Sequence, residues 1–317
     1  MKSNLDQVAE INNNAPAARI AQAQEDAATS KEGVLRIFAD AFGEELGEHF
    51  RQALNEHRLP KTQMLFGGAT ARAGGVASST FIEKTYYNND RPFVVAPERI
   101  TKHNLPGKDF YSTSKSFPSG HTNQSTWTTT LLSYMLPEFA PQLLARGAEG
   151  GYSRVVLGVH YPLDVIGGRM SGQAAAADRL NDPKMRDALN QAAAELRAEI
   201  EWRAGKPIKD LVASDKPFVP TATAVSQATA WNNYEFAPIY HRDAPMIVPQ
   251  AAPTLIAGSF PELNHHQRAQ IIAQTASAAG NPLDWQGPGG SWQRVNLAAA
   301  SAAKIRVAED GNVTVVK

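Results

Sequence analysis

The sequence predicts an all-α protein whose last third is irregular and partly β. Apolar residues recur at helical spacing near the N-terminus, residues 183–204 are rich in Ala, Leu, Glu and Arg, and proline becomes frequent beyond Gly205. The first four residue types have high helix propensity, whereas proline removes a backbone donor and interrupts helices. We therefore divide the chain into a polar helical arm (1–30), an all-α domain (31–204) and a proline-rich appendage (205–317).

The N-terminal pattern, from about residue 4 to residue 56, is that of an amphipathic helix. Its apolar residues follow one another at intervals of three and four, which places them on one helix face. They are Val34, Leu35, Ile37, Phe38, Phe42, Leu46, Phe50 and Leu54. We interpret the aromatic members of this stripe as part of the core.

Two further elements and a loop precede the centre of the chain. A helix is predicted for residues 81–88, and Pro92 should stop it because proline cannot donate to the preceding turn. Residues 93–116 mix polar residues, Pro and Gly and are typical of a long loop. Ser119 is suited to cap a helix over residues 121–135, since its hydroxyl can accept a bond from the free amides of the first turn.

The next helix is predicted for residues 138–159. Its three glycines, Gly147, Gly150 and Gly151, each weaken a helix by about 1 kcal/mol relative to alanine. Pro162 should then break the chain, and Asp164 should cap the last core helix. A turn between His160 and Asp164 would bring the carboxylate beside the imidazole.

The C-terminal third differs in composition. We place a boundary near residues 205–220, because prolines are scattered from there onward and helical periodicity returns only at residues 264–279. Near the end, residues 304–307 and 312–316 flank an Asp-Gly pair, which is a typical turn of a β-hairpin.

Composition excludes several classes of protein. The chain has 31 basic and 31 acidic side chains, so no global field favours nucleic acid or an acidic membrane. Its 43% of hydrophobic residues suffices for a core, and no stretch approaches the roughly 18 consecutive apolar residues of a membrane span. The sequence contains no cysteine, which rules out disulfides and is compatible with either redox environment.

Three short segments concentrate the residues that can do chemistry. They are residues 84–92 (KTYYNNDRP), 118–121 (PSGH) and 153–164 (SRVVLGVHYPLD). A transferring phosphoryl group spreads negative charge over three oxygens, so a catalyst must offer fixed positive charge and N–H donors. Lys84, Arg91 and Arg154 can supply the charge, since Arg binds two oxygens through its planar fork and Lys acts as a point charge. Ser119 and Gly120 add a hydroxyl and an approachable amide at a helix start.

The spacing of these residues resembles a known superfamily. The pattern K-x6-R-P, then P-S-G-H, then S-R-x5-H-x3-D resembles that of the phosphatidic acid phosphatase type 2 and vanadium haloperoxidase superfamily. The run KTYYNNDRPF and the Thr122 after His121 look most like the soluble bacterial class A non-specific acid phosphatases. The resemblance implies a helical-bundle core of that type and a metal-independent phosphomonoesterase that needs no cofactor.

The resemblance also implies a role for each residue of the motif. His160 would attack phosphorus as a neutral imidazole, and Asp164 would hold its other ring nitrogen in the N–H tautomer. His121 would protonate the leaving group and then act as base toward water. The phosphate-binding residues would be Lys84, Arg91, Ser119, Gly120 and Arg154. Residues of the loop over the site, Lys102, His103, Lys108 and Tyr111, are candidates for leaving-group contacts.

Three alternatives use the same pocket. Vanadate is a phosphate mimic, so a vanadium-dependent haloperoxidase would hold its cofactor with the same cations. A phosphotransferase would pass the phosphoryl group to an alcohol instead of water, and a phosphate-binding module would hold it without chemistry. The sequence has no cysteine, and His265 and His266 are not part of an HExxH pattern. We therefore expect no metal site.

The leaving group is not readable from the sequence, because the alcohol half of such a site depends on shape. We expect a small-molecule phosphate ester as partner, no nucleic acid and no membrane span, and the oligomeric state stays open. The polar first residues show no apolar signal region. Because proteins of the resembled type are exported, we expect a periplasmic or secreted protein whose signal peptide is absent from this chain, with the cytoplasm as the alternative.

Overall fold

The computed structural model describes residues 3–28, 34–67, 73–105, 107, 109, 114–214 and 219–316. Helices predominate in these ranges, and the strands form one two-stranded sheet. The α-helices are α1 (Asn4–Asn13), α2 (Ala17–Ala28), α3 (Val34–Ile37), α4 (Glu44–Asn55), α5 (Pro60–Phe66), α6 (Phe81–Tyr87), α7 (Pro92–Val95), α8 (Gly120–Met135), α9 (Ala140–Val156), α10 (Pro162–Asn181), α11 (Pro183–Ala204), α12 (Ile208–Ser214), α13 (Thr221–Asn233), α14 (His265–Gln274) and α15 (Leu297–Ser301). Short 3₁₀ helices cover Ala39–Phe42, Val76–Ser78, Pro137–Phe139 and Ala252–Ile256. The predicted all-α class is confirmed.

Helices α8, α9 and α10 form the centre of the fold and pack closely on one another. Nearly every residue of α8 is buried. A Cβ on Gly151 of α9 would lie 2.9 Å from the Cγ2 of Thr122, and one on Gly172 of α10 would lie 2.7 Å from the Cβ of Thr126. The glycines therefore allow close helix contact, and α9 is continuous through all three of them, as predicted.

The N-terminal region is not one helix, and this part of the prediction was wrong. It is divided into α1, α2, α3, a 3₁₀ turn and α4, with breaks at Pro16 and at Gly43, whose φ is 93°. The aromatic stripe is nevertheless core: the rings of Phe42 and Phe50 meet edge to face at 5.1 Å. Helices α1 and α2 pack on α9.

The segment after residue 205 is more helical than the sequence indicates. Helices α12 and α13 form inside the proline-rich stretch, each starting beside a proline, which is favourable at a helix N-terminus. Helix α13 packs on α9, and residues from 252 to 313 share the main hydrophobic core with α4 and α11. Contacts thus cross the boundary placed near 205–220, and the division into domains stays a prediction.

The chain ends in the predicted hairpin. Strand β1 (Lys304–Val307) pairs antiparallel with β2 (Val313–Val316). Helix α14 supports β2, because the amides of Val313 and Val315 donate to the side-chain oxygens of Gln270 and Gln274. No helix within the described ranges is long and apolar enough to cross a membrane.

Candidate active site

The structure brings the residues of the three motifs to the N-terminal ends of α8 and α10. Lys84 lies on α6, which ends at Tyr87 before it reaches Pro92, because Asn88 is left-handed. Pro92 instead begins α7, and Arg91 immediately precedes it. Ser119 caps α8, as predicted, through a 3.3 Å bond from the Thr122 amide to its Oγ. Arg154 lies in the last turn of α9, His160 in the connection that follows, and Asp164 in the first turn of α10.

The connection between α9 and α10 sets the position of His160. The amide of His160 donates to the carbonyl of Arg154 at 3.3 Å, which turns the chain back on the end of α9. Gly158 has a φ of 72°, and a Cβ there would lie 2.7 Å from the Ile100 Cγ2 and from the Thr101 carbonyl oxygen. Only glycine fits this left-handed turn, so the turn explains the Gly in the third motif.

His160 and Asp164 form a buried pair. The imidazole Nδ1 lies 3.1 Å from the Asp164 Oδ2, which also accepts a 2.8 Å bond from the Tyr161 amide. Because Nδ1–H donates to the carboxylate, Nε2 carries the lone pair. That lone pair faces the Arg91 Nη1 at 3.1 Å. Asp164 thus occupies the third position of α10, not its N-cap, and the predicted contact between the two side chains is present.

Arg91 is 3% exposed and is held by neutral acceptors. Its Nη1 donates to the carbonyl of Val159 at 2.7 Å, and its Nε donates to the carbonyl of Ser114 at 2.7 Å. Its Nη2 donates to the Ser114 hydroxyl at 2.7 Å. Such acceptors fix the guanidinium without cancelling its charge, which stays directed at the His160 ring.

Lys84 is fixed in the same manner. Its Nζ donates to the carbonyls of Lys115 at 2.7 Å and Ser116 at 3.1 Å. Burial, with the nearby Arg91, lowers the pKa of the Lys84 ammonium to about 8. The ammonium is therefore mainly charged below neutral pH, where it would attract an anion.

The start of α8 lies beside the start of α10, which carries Asp164. The amide of Ser119 donates to the carbonyl of Asp164 at 2.9 Å, which ties the two helix starts together. A Cβ on Gly120 would lie 3.1 Å from the Thr80 Oγ1, so a side chain would be crowded there. The positive end of the α8 dipole favours a bound phosphate at this position.

His121 and Arg154 line a small cavity of about 30 Å³ together with Asp26, Ile37 and Phe38. Arg154 is 1% exposed, and its Nε donates to the carbonyl of Gly150 at 3.2 Å. Burial, with the cations Arg154, Arg91 and Lys84, lowers the pKa of His121 well below its usual value.

The charge state of the His160–Asp164 pair follows from the same surroundings. Burial, with the cations Arg91 and Lys84, lowers the pKa of His160 well below its usual value, so its imidazole is neutral near pH 7. Burial raises the pKa of Asp164 to about 7, against the opposing effect of the Tyr161 amide, Lys84 and Arg91. The pair can therefore hold one proton between Nδ1 and Oδ2.

Sequence reasoning missed a polar network behind Arg154. The carboxylate of Asp26 on α2 accepts bonds from the Arg146 Nη2 at 2.6 Å and the Ser153 Oγ at 2.5 Å. Ser153 directly precedes Arg154, so the network fixes that turn of α9. No periodicity distinguishes Asp26 from the other acidic residues of its polar segment, and only the fold reveals its role.

The structure describes two of the four residues that are proposed to contact the leaving group. Lys108 and Tyr111 lie outside the described residues. The Lys102 ammonium pairs with Asp109 and lies 4.3 Å from the centre of the Phe93 ring. The His103 amide donates to the carbonyl of Leu157 at 3.2 Å. Among the described residues, no group of three His, Cys, Asp or Glu side chains could hold a metal ion.

Comparison with known proteins agrees with this geometry. Residues 63–181 match the model of the PAP2 superfamily, and this segment contains every motif residue named above. This chain is therefore similar to the PAP2 superfamily over these residues. The predicted resemblance is confirmed, and the mostly helical structure matches a PAP2 fold.

Similarity to curated bacterial proteins points the same way. The chain is 34% identical over 178 residues to a non-specific acid phosphatase of Salmonella typhi, and 32% identical over 175 residues to that of Salmonella typhimurium. A non-specific acid phosphatase of Providencia stuartii is 32% identical over 171 residues. The matches cover 54–55% of this chain and 64–65% of each relative. The chain thus spans somewhat less than two thirds of the length of these relatives.

Proposed function

We propose that this protein is an acid phosphatase-like phosphomonoesterase that hydrolyses phosphate esters through a phosphohistidine at His160, without a metal ion. One observation supports the proposal most directly. The Nδ1 of His160 lies 3.1 Å from Asp164, and its Nε2 faces the cation Arg91 at 3.1 Å. A neutral nucleophile is thus oriented toward positive charge that can bind a phosphate.

The first chemical step forms the phosphoenzyme. The lone pair of the His160 Nε2 attacks phosphorus, and the bond from phosphorus to the ester oxygen breaks. Arg91, Arg154 and Lys84, with the amides at the start of α8, stabilise the charge on the three equatorial oxygens. His121 gives its proton to the leaving oxygen, so the alcohol departs neutral.

The second step releases phosphate. Neutral His121 accepts a proton from a water molecule, whose oxygen attacks phosphorus, and the phosphorus–nitrogen bond breaks. His160 leaves as the same neutral imidazole, with Nδ1–H still donating to Asp164. The bound phosphate raises the pKa of His121 from its low value in the free enzyme, because a dianion favours the protonated imidazole.

Release of nitrophenol from p-nitrophenyl phosphate tests this route. Activity is measured between about pH 4 and pH 8 with EDTA present, an interval that includes the usual histidine pKa of about 6.5. We expect wild type to turn over and His160→Ala to be inactive, with His266→Ala, an exposed histidine on α14, as the matched control. After acid-free quenching, mass spectrometry should find phosphate on His160. Activity of His160→Ala near the wild-type level would refute the nucleophile.

The vanadate alternative makes a different prediction. Vanadate should inhibit the phosphatase, because the cations that bind phosphate also bind its mimic. A haloperoxidase would instead oxidise bromide with peroxide when loaded with vanadate. Relatives named acid phosphatases favour the first outcome. The expected periplasmic or secreted location stays a prediction.

A further inference from the structure

Helix α6 is apolar on the side that faces solvent. Phe81, Ile82 and Tyr86 are 74%, 77% and 81% exposed, and no residue of α6 is buried. Lys84 is the one residue of this helix that is not fully exposed. A surface helix usually turns its apolar side chains toward the core and its charged ones toward water, so α6 is inverted relative to that pattern.

The exposed residues occupy one face of the helix. Phe81 and Thr85 lie about one turn apart, as do Ile82 and Tyr86, so these four residues form a continuous strip. We name this strip the α6 face. Lys84 lies outside it and donates to two backbone carbonyls of the protein. The α6 face therefore does not include the residue that the proposed phosphate site uses.

The protein itself holds α6 by few contacts. Within the described ranges, no other helix packs closely on it. The ring of Tyr87 meets the ring of Phe117 edge to face, with centroids 4.8 Å apart, and Lys84 supplies the two bonds already named. A helix of seven residues is marginal by itself and depends on packing for its stability. A partner on the open face would supply that packing.

The size of the α6 face indicates a macromolecular partner. With the half-exposed Tyr87, its side chains offer on the order of 500 Å² of accessible surface, because an aromatic side chain alone carries about 150–250 Å². That is near the upper end for apolar patches on monomers, about 300–600 Å², which are often functional. A standard protein interface takes about 800 Å² from each partner, so the face and its polar surroundings are of the size that a dimer needs.

The charges favour a second copy of this chain as the partner. The α6 face carries no charged side chain, so two copies can meet there without repulsion between like charges. The chain has 31 basic and 31 acidic side chains, and no net charge keeps two copies apart. A membrane surface is disfavoured, because helices that lie on membranes flank their apolar face with basic residues, whereas the exposed charged residue of α6 is Glu83.

We propose that the α6 face is the interface of a homodimer with two-fold symmetry. In such a contact the same face of each copy packs against the other. Phe and Tyr are enriched at the centres of protein interfaces, where their rings are fully covered. Each copy would thus cover the apolar side of the helix that carries Lys84 in its partner. Association through this face does not depend on the proposed phosphatase chemistry.

Sedimentation of the full chain at about 1–100 μM tests the proposal, since moderate interfaces dissociate in this range. We expect the mass to rise with concentration from that of a monomer to that of a dimer. Ile82→Asp would set like charges against each other and should weaken the dimer at least about tenfold. Ile239→Asp is the matched control, at an isoleucine that is 62% exposed outside the α6 face. A monomer at every concentration, or equal dimerisation of the two variants, would overturn the proposal.

A membrane would give a different result. A wild-type monomer that binds vesicles of phosphatidylcholine, and loses this binding in Ile82→Asp, would assign the α6 face to a lipid surface and also overturn the proposal.

The absence of cysteine from the sequence permits a direct test of the location. Thr85→Cys places one thiol on the α6 face, and Thr223→Cys places one at an exposed position of α13. With a flexible bismaleimide cross-linker, we expect the first variant to form a covalent dimer and the second to stay largely monomeric. Equal yields of covalent dimer would refute the location.

Discussion

Arg91 in the proposed phosphate site and Arg146 in the network behind it are both buried, but their surroundings differ in kind. The partners of Arg146 include the carboxylates of Asp26, Glu149 and Asp40, at 2.6, 3.4 and 3.5 Å. Burial alone would lower the pKa of Arg146, but the Asp26 carboxylate outweighs it and raises that pKa. The bonds described for Arg91 go to carbonyls, to a hydroxyl and to His160.

The difference separates structural charge from functional charge. A carboxylate neutralises the arginine that it holds, whereas a carbonyl orients the guanidinium and leaves its field available to an anion. The Arg146 network should therefore govern stability, and Arg91 should govern catalysis.

The largest effect on stability is expected from Arg146→Met. The change leaves Asp26 buried without its main cation and should lower the free energy of unfolding by about 3–5 kcal/mol. Urea denaturation measures this. Arg197→Met is the control, because the Arg197–Glu138 pair is partly exposed and should contribute less than about 1 kcal/mol. A similar loss in both variants would contradict a special role for the buried pair.

Arg91→Lys should affect activity instead. Lysine keeps the charge and loses the planar fork, so kcat/KM should fall by about 10²–10³-fold while the urea midpoint stays close to that of wild type. Arg99→Lys, at an exposed pair with Asp6, is the control and should retain activity. Activity of Arg91→Lys within a few-fold of wild type would show that charge alone suffices.

Substitutions of two adjacent glycines of α9 test the close packing of α9 on α8. A Cβ on Gly151 would lie 2.9 Å from the Thr122 Cγ2 and 3.0 Å from the Val165 Cγ1, so Gly151→Ala should destabilise by about 1–3 kcal/mol. A Cβ on Gly150 meets Ser125 at an ordinary 3.4 Å, so Gly150→Ala should be neutral or stabilise by up to about 1 kcal/mol. Thermal or urea unfolding compares the two, and equal effects would exclude the proposed packing role.

The smallest expected effect is a shift of the pH profile in Lys84→Met. Lys84 is among the cations that lower the pKa values of His121 and His160, so its removal should raise both. In the proposed mechanism His160 must be neutral and His121 protonated, so kcat/KM rises through the first pKa and falls through the second. Both limbs should therefore move to higher pH. Lys61→Met, at an exposed lysine, is the control, and an unmoved profile would contradict the coupling.

The sequence predicted the local elements of the site well. The cap at Ser119, the helix after it, and the proximity of His160 and Asp164 follow from turn and capping rules that act over a few residues. It did not predict the divided N-terminal helices or α13, because the spacing of apolar residues continues across the break at Gly43 and proline at a helix start resembles proline in a loop.

What the sequence determined by itself is a set of residue types suited to bind phosphate, because an anion requires particular residue types at particular spacings. Only the tertiary structure decided which buried charges are neutralised. Asp26 and Arg146 are 120 residues apart, and their 2.6 Å contact depends on how α2 packs on α9. Such contacts arise from the packing of distant segments, which no local pattern of residues encodes.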